Sequence, residues 1–370
     1  MLLIVGLTFL LGTAAGLKTA LKLADYFSGN QVTIAAKSVE GRLLGDFILH
    51  HAQLETSALN IEMNRSELRW SPWALLRGRI HIEQLSLAEG KVILAASDRE
   101  DPPVEDSNGW LPEVSLEALN ISSVQLLTGN DTYQFDRVAG SAELQSGQLT
   151  LSEARLLMPG LEASMTGAVN LQPFAVDDLL LQWDWRTADV LLPVRGSATL
   201  NGDAERLNLA ASLDSPARSS IDVVINQALT APAWLAEFSV ETINLQRSVS
   251  AEMPDVELQL RGASNGSSET ASVDATGSVT FGGIEHPWKI NASVPLADDD
   301  YPELAMRSGE MQLTITPAEA RKDKATIKLD VPDLASLWPG LSGQIKADGE
   351  LLGPRTRPVI SLSMNASQLV

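Results

Sequence analysis

Residues 206–213 read RLNLAASL and residues 221–225 read IDVVI. In the first, Leu207, Leu209, Ala211 and Leu213 alternate with Asn208, Ala210 and Ser212. In the second, Ile221, Val223 and Ile225 alternate with Asp222 and Val224. Successive side chains on an extended chain point to opposite sides, so period two means a strand with one apolar and one polar face. The pattern recurs outward in both directions. Upstream it appears in Leu59, Ile61 and Met63. Downstream it appears in Trp234, Ala236, Phe238 and Val240, in Val256, Leu258 and Leu260, and in Trp288, Ile290, Ala292 and Val294. It continues in Met311, Leu313 and Ile315 and in Ile360, Leu362 and Met364. Gly, Asn, Asp and Ser punctuate these runs, as at Thr128-Gly129-Asn130-Asp131 and Ser146-Gly147-Gln148. An all-β, elongated antiparallel sheet with one apolar face follows.

Some runs change phase. Ile80 and Ile82 are followed by Leu85 and Leu87, and Leu119 and Ile121 by Val124 and Leu126. One extra residue in a strand predicts a bulge, which bends and twists the sheet. Repeated bulges would curl it into a trough with an apolar floor. At roughly 14 residues per strand and turn, about 24 strands are expected. Ser71 to Gly78 (SPWALLRG) predicts a short helical turn over 72–77, with Ser71 as N-cap, Pro72 in the first position and Gly78 as the stop. Residues 98–109 (DREDPPVEDSNG) predict an acidic, Pro-containing loop, and Asp298 to Asp300 another. Leu157-Met158-Pro159-Gly160-Leu161 is echoed by Leu337-Trp338-Pro339-Gly340-Leu341, which suggests an array of similar hairpins.

The N-terminus differs from the body. Met1 to Leu17 (MLLIVGLTFLLGTAAGL) carries no charge before Lys18. Seventeen residues of helix span about 26 Å, near the lower limit for a bilayer core of roughly 30 Å. Leu2, Leu3, Ile4, Val5, Leu7, Phe9, Leu10, Leu11 and Leu17 would form a single transmembrane anchor. An amphipathic continuation carries Ala20, Leu21, Ala24 and Phe27. A cleaved signal peptide fits less well, because the pattern runs past any Ala-x-Ala-like site and no basic stretch precedes the apolar run. A buried core helix is the third reading. The expected organisation is an anchor over 1–28, a β segment over 29–97, the loop 98–109, and a repetitive β-groove over 110–370. The strand pattern runs up to Val370, so the groove is expected to continue beyond it.

Composition narrows the function. With 27 basic against 47 acidic residues the chain carries a net charge of −20, and it has no basic stripe for nucleic acid. The acidic surplus suits solubility and opposes edge-to-edge association of a long sheet. The absence of cysteine excludes disulfides, thiolate metal sites and cysteine nucleophiles. His50, His51, His81 and His286 lack metal-ligand spacing, and the neighbours His50 and His51 would face opposite ways on a strand. Asp177-Asp178 and Asp298 to Asp300 read as solvated turns rather than acid/base pairs. Trp70, Trp73, Trp183 and Trp185 read as packing or strand-edge residues before a lipid-contacting belt. Asn-x-Ser/Thr triplets such as Asn120-Ile121-Ser122 are expected by chance in such a sequence. No catalytic residue, cofactor or metal site is expected, and the chain is not expected to be an enzyme.

Aromatics are only 5% of the chain. The apolar runs are mainly Leu, Ile, Val, Ala and Met, which leaves room for guests such as acyl chains. Expected groove-lining positions are Leu59, Ile61, Met63, Leu207, Leu209, Leu213, Ile221, Val223, Ile225, Val256, Leu258, Leu260, Met311, Leu313 and Ile315.

The apolar N-terminal helix, Val39-Glu40-Gly41-Arg42-Leu43 and the stretch Leu68 to Ile82 (LRWSPWALLRGRIHI) resemble the TamB family, the inner-membrane subunit of the bacterial translocation and assembly module. The chain also resembles the wider AsmA-like group. Leu337 to Gly343 and the strand pair around Gly349, Pro358 and Leu362 resemble the family's repeats. TamB-like proteins are much longer, so functions of their C-terminal domain cannot be assigned to these residues. The resemblance implies a single pass through the inner membrane and a periplasmic β-groove for phospholipid acyl chains. It also implies outer-membrane protein assembly with a TamA-like outer-membrane barrel through the missing C-terminal part. The alternative is a periplasmic scaffold or chaperone that holds nascent strands without carrying lipid.

Overall fold

A computed structural model of the chain describes residues 13–19, 32–56, 59–94, 113–128, 131–186, 191–248, 251–296, 300–318, 321–336 and 342–368. Contacts divide it into two units, Met1–Trp183 and Asp184–Val370. Twenty-one strands lie among the described residues, fewer than the 24 or so expected, because several run well past ten residues.

The first unit holds β1 (Val32–Gly41), β2 (Asp46–Thr56), β3 (Leu59–Ser71), β4 (Arg79–Leu94), β5 (Glu113–Thr128), β6 (Asp131–Gln145), β7 (Gln148–Met158), β8 (Leu161–Leu171) and most of β9 (Phe174–Trp185). Each of β1 to β8 pairs with the next in chain order. The turns are those the sequence demands. Ser146 and Gly147 join β6 to β7 with φ of 50° and 80°, the geometry of a type I′ hairpin. Pro159-Gly160 joins β7 to β8, so the first of the two echoed motifs is a hairpin turn. The second, at 337–341, lies outside the described residues.

One pairing corrects the expected all-antiparallel sheet. β4 and β5 run parallel, with Ile80 opposite Val114, Ile82 opposite Leu116, Leu85 opposite Leu119 and Leu87 opposite Ile121. Both strands carry the same phase slips in the same direction. Only a parallel alignment superimposes them and sets apolar against apolar along the full ladder. The connection, which contains the expected acidic loop 98–109, lies outside the described residues. It does not separate two sheets, since the strands on either side of it pair directly.

Of the two expected slips, that between Ile82 and Leu85 is a bulge, whereas that between Ile121 and Val124 is a skipped pair without a register shift. The β3–β4 register shifts between Arg69 and Trp70, where Glu83 is the extra residue. The register also shifts in β5–β6, β6–β7 and β7–β8. A second line crosses the strands elsewhere. The ladders skip one pair at His51/Asn64, Asn64/Glu89, Glu89/Ser123 and Ser123/Asp136. His51, Glu89 and Ser123 on this line have φ of 48°, 54° and 54°. Apolar parity changes across it. On β5, Leu119 and Ile121 precede the line and Val124 and Leu126 follow it. A regular strand would put those pairs on opposite faces. A left-handed residue between them resets the alternation and keeps the apolar side together.

The short helical element is a 3-10 turn over Pro72–Arg77. Gly78 ends it at φ 73°, its N–H donating to the Leu75 carbonyl at 3.0 Å. Ser71 precedes it in an extended conformation but makes no side-chain cap, contrary to the sequence expectation.

The second unit is an antiparallel meander: β10 (Val194–Asp203), β11 (Arg206–Ser215), β12 (Ser219–Asn226), β13 (Ala233–Asn244), β14 (Val256–Ser267), β15 (Thr270–Phe281), β16 (Ile284–Pro295), β17 (Glu303–Ser308), β18 (Met311–Ala318), β19 (Arg321–Val331), β20 (Gln344–Leu352) and β21 (Val359–Ser367). Each strand pairs with the next.

Of the expected anchor, Leu17 lies in a helical stretch over 14–19 and is buried. Leu2, Leu3, Ile4, Val5, Leu7, Phe9, Leu10 and Leu11 lie outside the described residues. Among the described residues no helix is long and apolar enough to cross a membrane.

Candidate functional site

In the second unit the registers assemble separate apolar runs into continuous rows. One row reads Leu200, Leu209, Val223, Ala236, Ser264, Val273, Ala292, Leu304, Ile315, Ile327, Gly349 and Leu362, each directly opposite the next. The adjacent row reads Ala198, Ala211, Ile221, Phe238, Gly262, Ala275, Ile290, Met306, Leu313, Leu329, Ala347 and Met364. At about 4.8 Å per strand such a row extends about 50 Å. Polar members of the same face are few: Ser219, Ser264, His286 and Ser308. The Nε2 atom of His286 is buried there without a hydrogen-bond partner.

The opposite face is polar. Hydroxyls pair across it at Ser220/Ser239, 2.9 Å apart, and Lys324 and Lys346 meet Glu350 and Asp330 at 2.7 and 3.1 Å. The two faces differ in crowding. Ala236, Ala275, Ala325 and Ala347 on the apolar side are buried, whereas Ala210 and Ala263 on the polar side are exposed. A side chain of fixed size that is covered on one face and open on the other shows that the sheet bends toward its apolar face.

That face is not filled as a core. Only fourteen apolar residues are buried among the described ones, and a single core cluster forms. It consists of Tyr301, Ala325 and Leu351 with Ile315 and Ile327 against them, and the Tyr301 hydroxyl donates to the Gly353 carbonyl at 2.9 Å. The cluster closes one margin of the face. Elsewhere most of the large apolar side chains are half-buried, and Ile221, Leu362 and Met364 are exposed, with no second layer over them among the described residues.

The registers place Leu207, Leu209, Leu213, Ile221, Val223, Ile225, Val256, Leu258, Leu260, Met311, Leu313 and Ile315 on this one face. Leu59, Ile61 and Met63 belong to the first unit, opposite Leu94, Val92 and Gly90. Sequence reasoning missed the contributions of β10, β15, β17, β19 and β20. β15 (TASVDATGSVTF) shows why: its apolar-side positions are mostly Ala, Val and Gly, which carry little hydrophobic signal although they continue both rows.

The other singled-out residues are structural. Trp70 donates its indole N–H to the Leu43 carbonyl at 2.7 Å and fixes the β1–β2 loop against β3, while Trp73 and Trp185 are exposed. His50 and His81 pair with Glu40 and Glu117 at 3.2 and 3.4 Å. Asp177 accepts hydrogen bonds from Gln148 and Asn170, both at 3.3 Å. No group of three or more His, Asp or Glu converges as a metal site among the described residues. Asp184 is held by two guanidinium groups, bidentate to Arg186 at 3.1 Å and bonded to Arg195 at 2.9 Å. The Arg186 hydrogen bonds, with Arg195 adding, hold its carboxyl below the ordinary range. Asp323 is lowered likewise by Arg321.

Residues 3–112 match the family model of the TamB N-terminal domain. That stretch carries the TamB N-terminal domain. The matched stretch contains Val39 to Leu43, Leu68 to Ile82 and all of β1 to β4, so the parallel β4–β5 pair begins inside the TamB domain and ends outside it. The twelve-strand apolar face lies beyond it. No curated protein and no solved structure matches the chain.

Proposed function

We propose that this chain is a non-catalytic, inner-membrane-anchored periplasmic protein of outer-membrane biogenesis whose apolar sheet face carries phospholipid acyl chains. The observation that supports this is the pair of apolar rows across β10 to β21, interrupted only at Ser264 and left without a covering layer among the described residues. Each lipid methylene transferred from water to such a surface is worth about 0.8 kcal/mol, so two acyl chains are held without a dedicated headgroup site. Lipid can then move along rows of near-equal affinity. Phospholipid should copurify with the detergent-extracted protein and be identified by mass spectrometry. Protein free of lipid after mild extraction would overturn the reading.

A further inference from the structure

The floor of the apolar face carries large rings where a groove should be shallow. Trp234 and Phe238 on β13, and Trp288 on β16, all point to the apolar side. Each stands directly opposite a glycine of the neighbouring strand: Trp234 opposite Gly266, Phe238 opposite Gly262, and Trp288 opposite Gly277. A Cβ on Gly266 would overlap the Trp234 ring, and on Gly262 and Gly277 it would lie 2.7 Å from the Phe238 ring and 2.6 Å from the Trp288 ring. The rings therefore occupy the space directly above the glycine backbones. They recline on the sheet instead of standing out from it as strand side chains otherwise do.

We infer that these glycines set the clearance of the groove, and that an aromatic residue on this floor permits passage of acyl chains only where glycine faces it. The inference rests on the lipid reading above. A reclined ring rises from the backbone by about one van der Waals contact, roughly 3.5–4 Å, and presents a smooth apolar surface. A ring with a Cβ beneath it must stand in the path of the guest. Between Trp234 and Phe238 the rule can be tested at one pair. Ala236 lies on the same face and is opposite Ser264, which has a side chain.

Replacing the glycines is a poor probe, because a methyl at Gly262 or Gly277 would also meet a backbone carbonyl, that of Asp274 or Gln259. The test is to introduce a ring and then its glycine. A photo-crosslinking residue at Leu209 or Leu313, on either side of this floor, reports phospholipid in membranes containing the full chain. The unmodified protein should label at both. Ala236→Phe should keep labelling at one position and lose about fivefold at the other, the cost of obstructing a packed passage. Ala236→Phe combined with Ser264→Gly should restore labelling, and Ser264→Gly alone should leave it unchanged. Val273→Phe, also opposite Ser264, should behave as Ala236→Phe does and be rescued by the same glycine. Circular dichroism of each variant establishes that the sheet is retained. If either variant fails to fold, the other decides.

Labelling at both positions in the folded Phe variants would overturn the clearance rule, and so would failure of Ser264→Gly to restore it. No labelling of the unmodified protein would instead overturn the lipid reading, and the clearance rule with it.

Discussion

At the scale of single residues, two local arrangements carry measurable consequences. Asp184 sits between Arg186 and Arg195 on the exposed side, and its pKa is lowered in the fold. A carboxylate with a depressed folded pKa contributes stability that is present above the unfolded pKa and lost as pH falls through the folded one. Its NMR titration midpoint should therefore fall below that of an unstructured aspartate. Arg186→Gln should move the midpoint back up. An unchanged midpoint would mean the pair does not form in solution. Gly78 takes a left-handed conformation to end the 3-10 turn. Gly78→Ala should cost about 1 kcal/mol, read from a shift in the thermal or urea midpoint.

At the scale of elements, the line through His51, Asn64, Glu89 and Ser123 is the main device of the first unit. Serine in a left-handed conformation costs about 1–2 kcal/mol relative to an unstrained backbone. Ser123→Gly should relieve part of that. Ser123→Val should be less stable than Ser123→Gly by about 1–2 kcal/mol in urea denaturation, because branching at Cβ makes the conformation worse. Equal stabilities would show that Ser123 is not held left-handed. Both phase slips were legible in the sequence, but only one is a bulge: Ile82 to Leu85 contains the extra residue Glu83, whereas Ile121 to Val124 contains the left-handed Ser123 with no extra residue. The parallel β4–β5 pairing was legible only in hindsight, as two strands with the same slips in the same direction. Nothing local to either strand states which way its neighbour runs. That depends on the connection between them and on what else competes for the edge.

At the scale of the whole molecule, the proposed carriage of lipid rests on continuity of the apolar face rather than on any one site. Leu209, Leu258 and Leu313 lie on the same face but on β11, β14 and β18. An aspartate at any of them places an unpaired charge on the apolar face. Each substitution should reduce phospholipid transfer by about tenfold or more while leaving the N-terminal segment unaffected. Transfer between donor and acceptor vesicles measures it, and unchanged transfer in all three would exclude a conduit. In the second unit the ion pairs Lys324–Glu350 and Lys346–Asp330 lie on the face turned away from the apolar rows, so charge and apolar surface are kept apart there.

The sequence by itself determined which residues face which way, since alternation is a property of the extended backbone and needs no partner. It also marked the turns, the bulges and the TamB-like N-terminal stretch. The tertiary structure alone decided which residue stands opposite which. Leu209 meets Val223 and Leu200, Trp234 meets Gly266, and β4 meets β5 head to head, all through pairings between segments separated along the chain. Register is non-local: shifting one strand by a single residue would exchange its faces while leaving its own sequence pattern intact. The apolar runs were therefore visible from the beginning. Their union into one floor, with rings laid flat over glycines, came from the ladders.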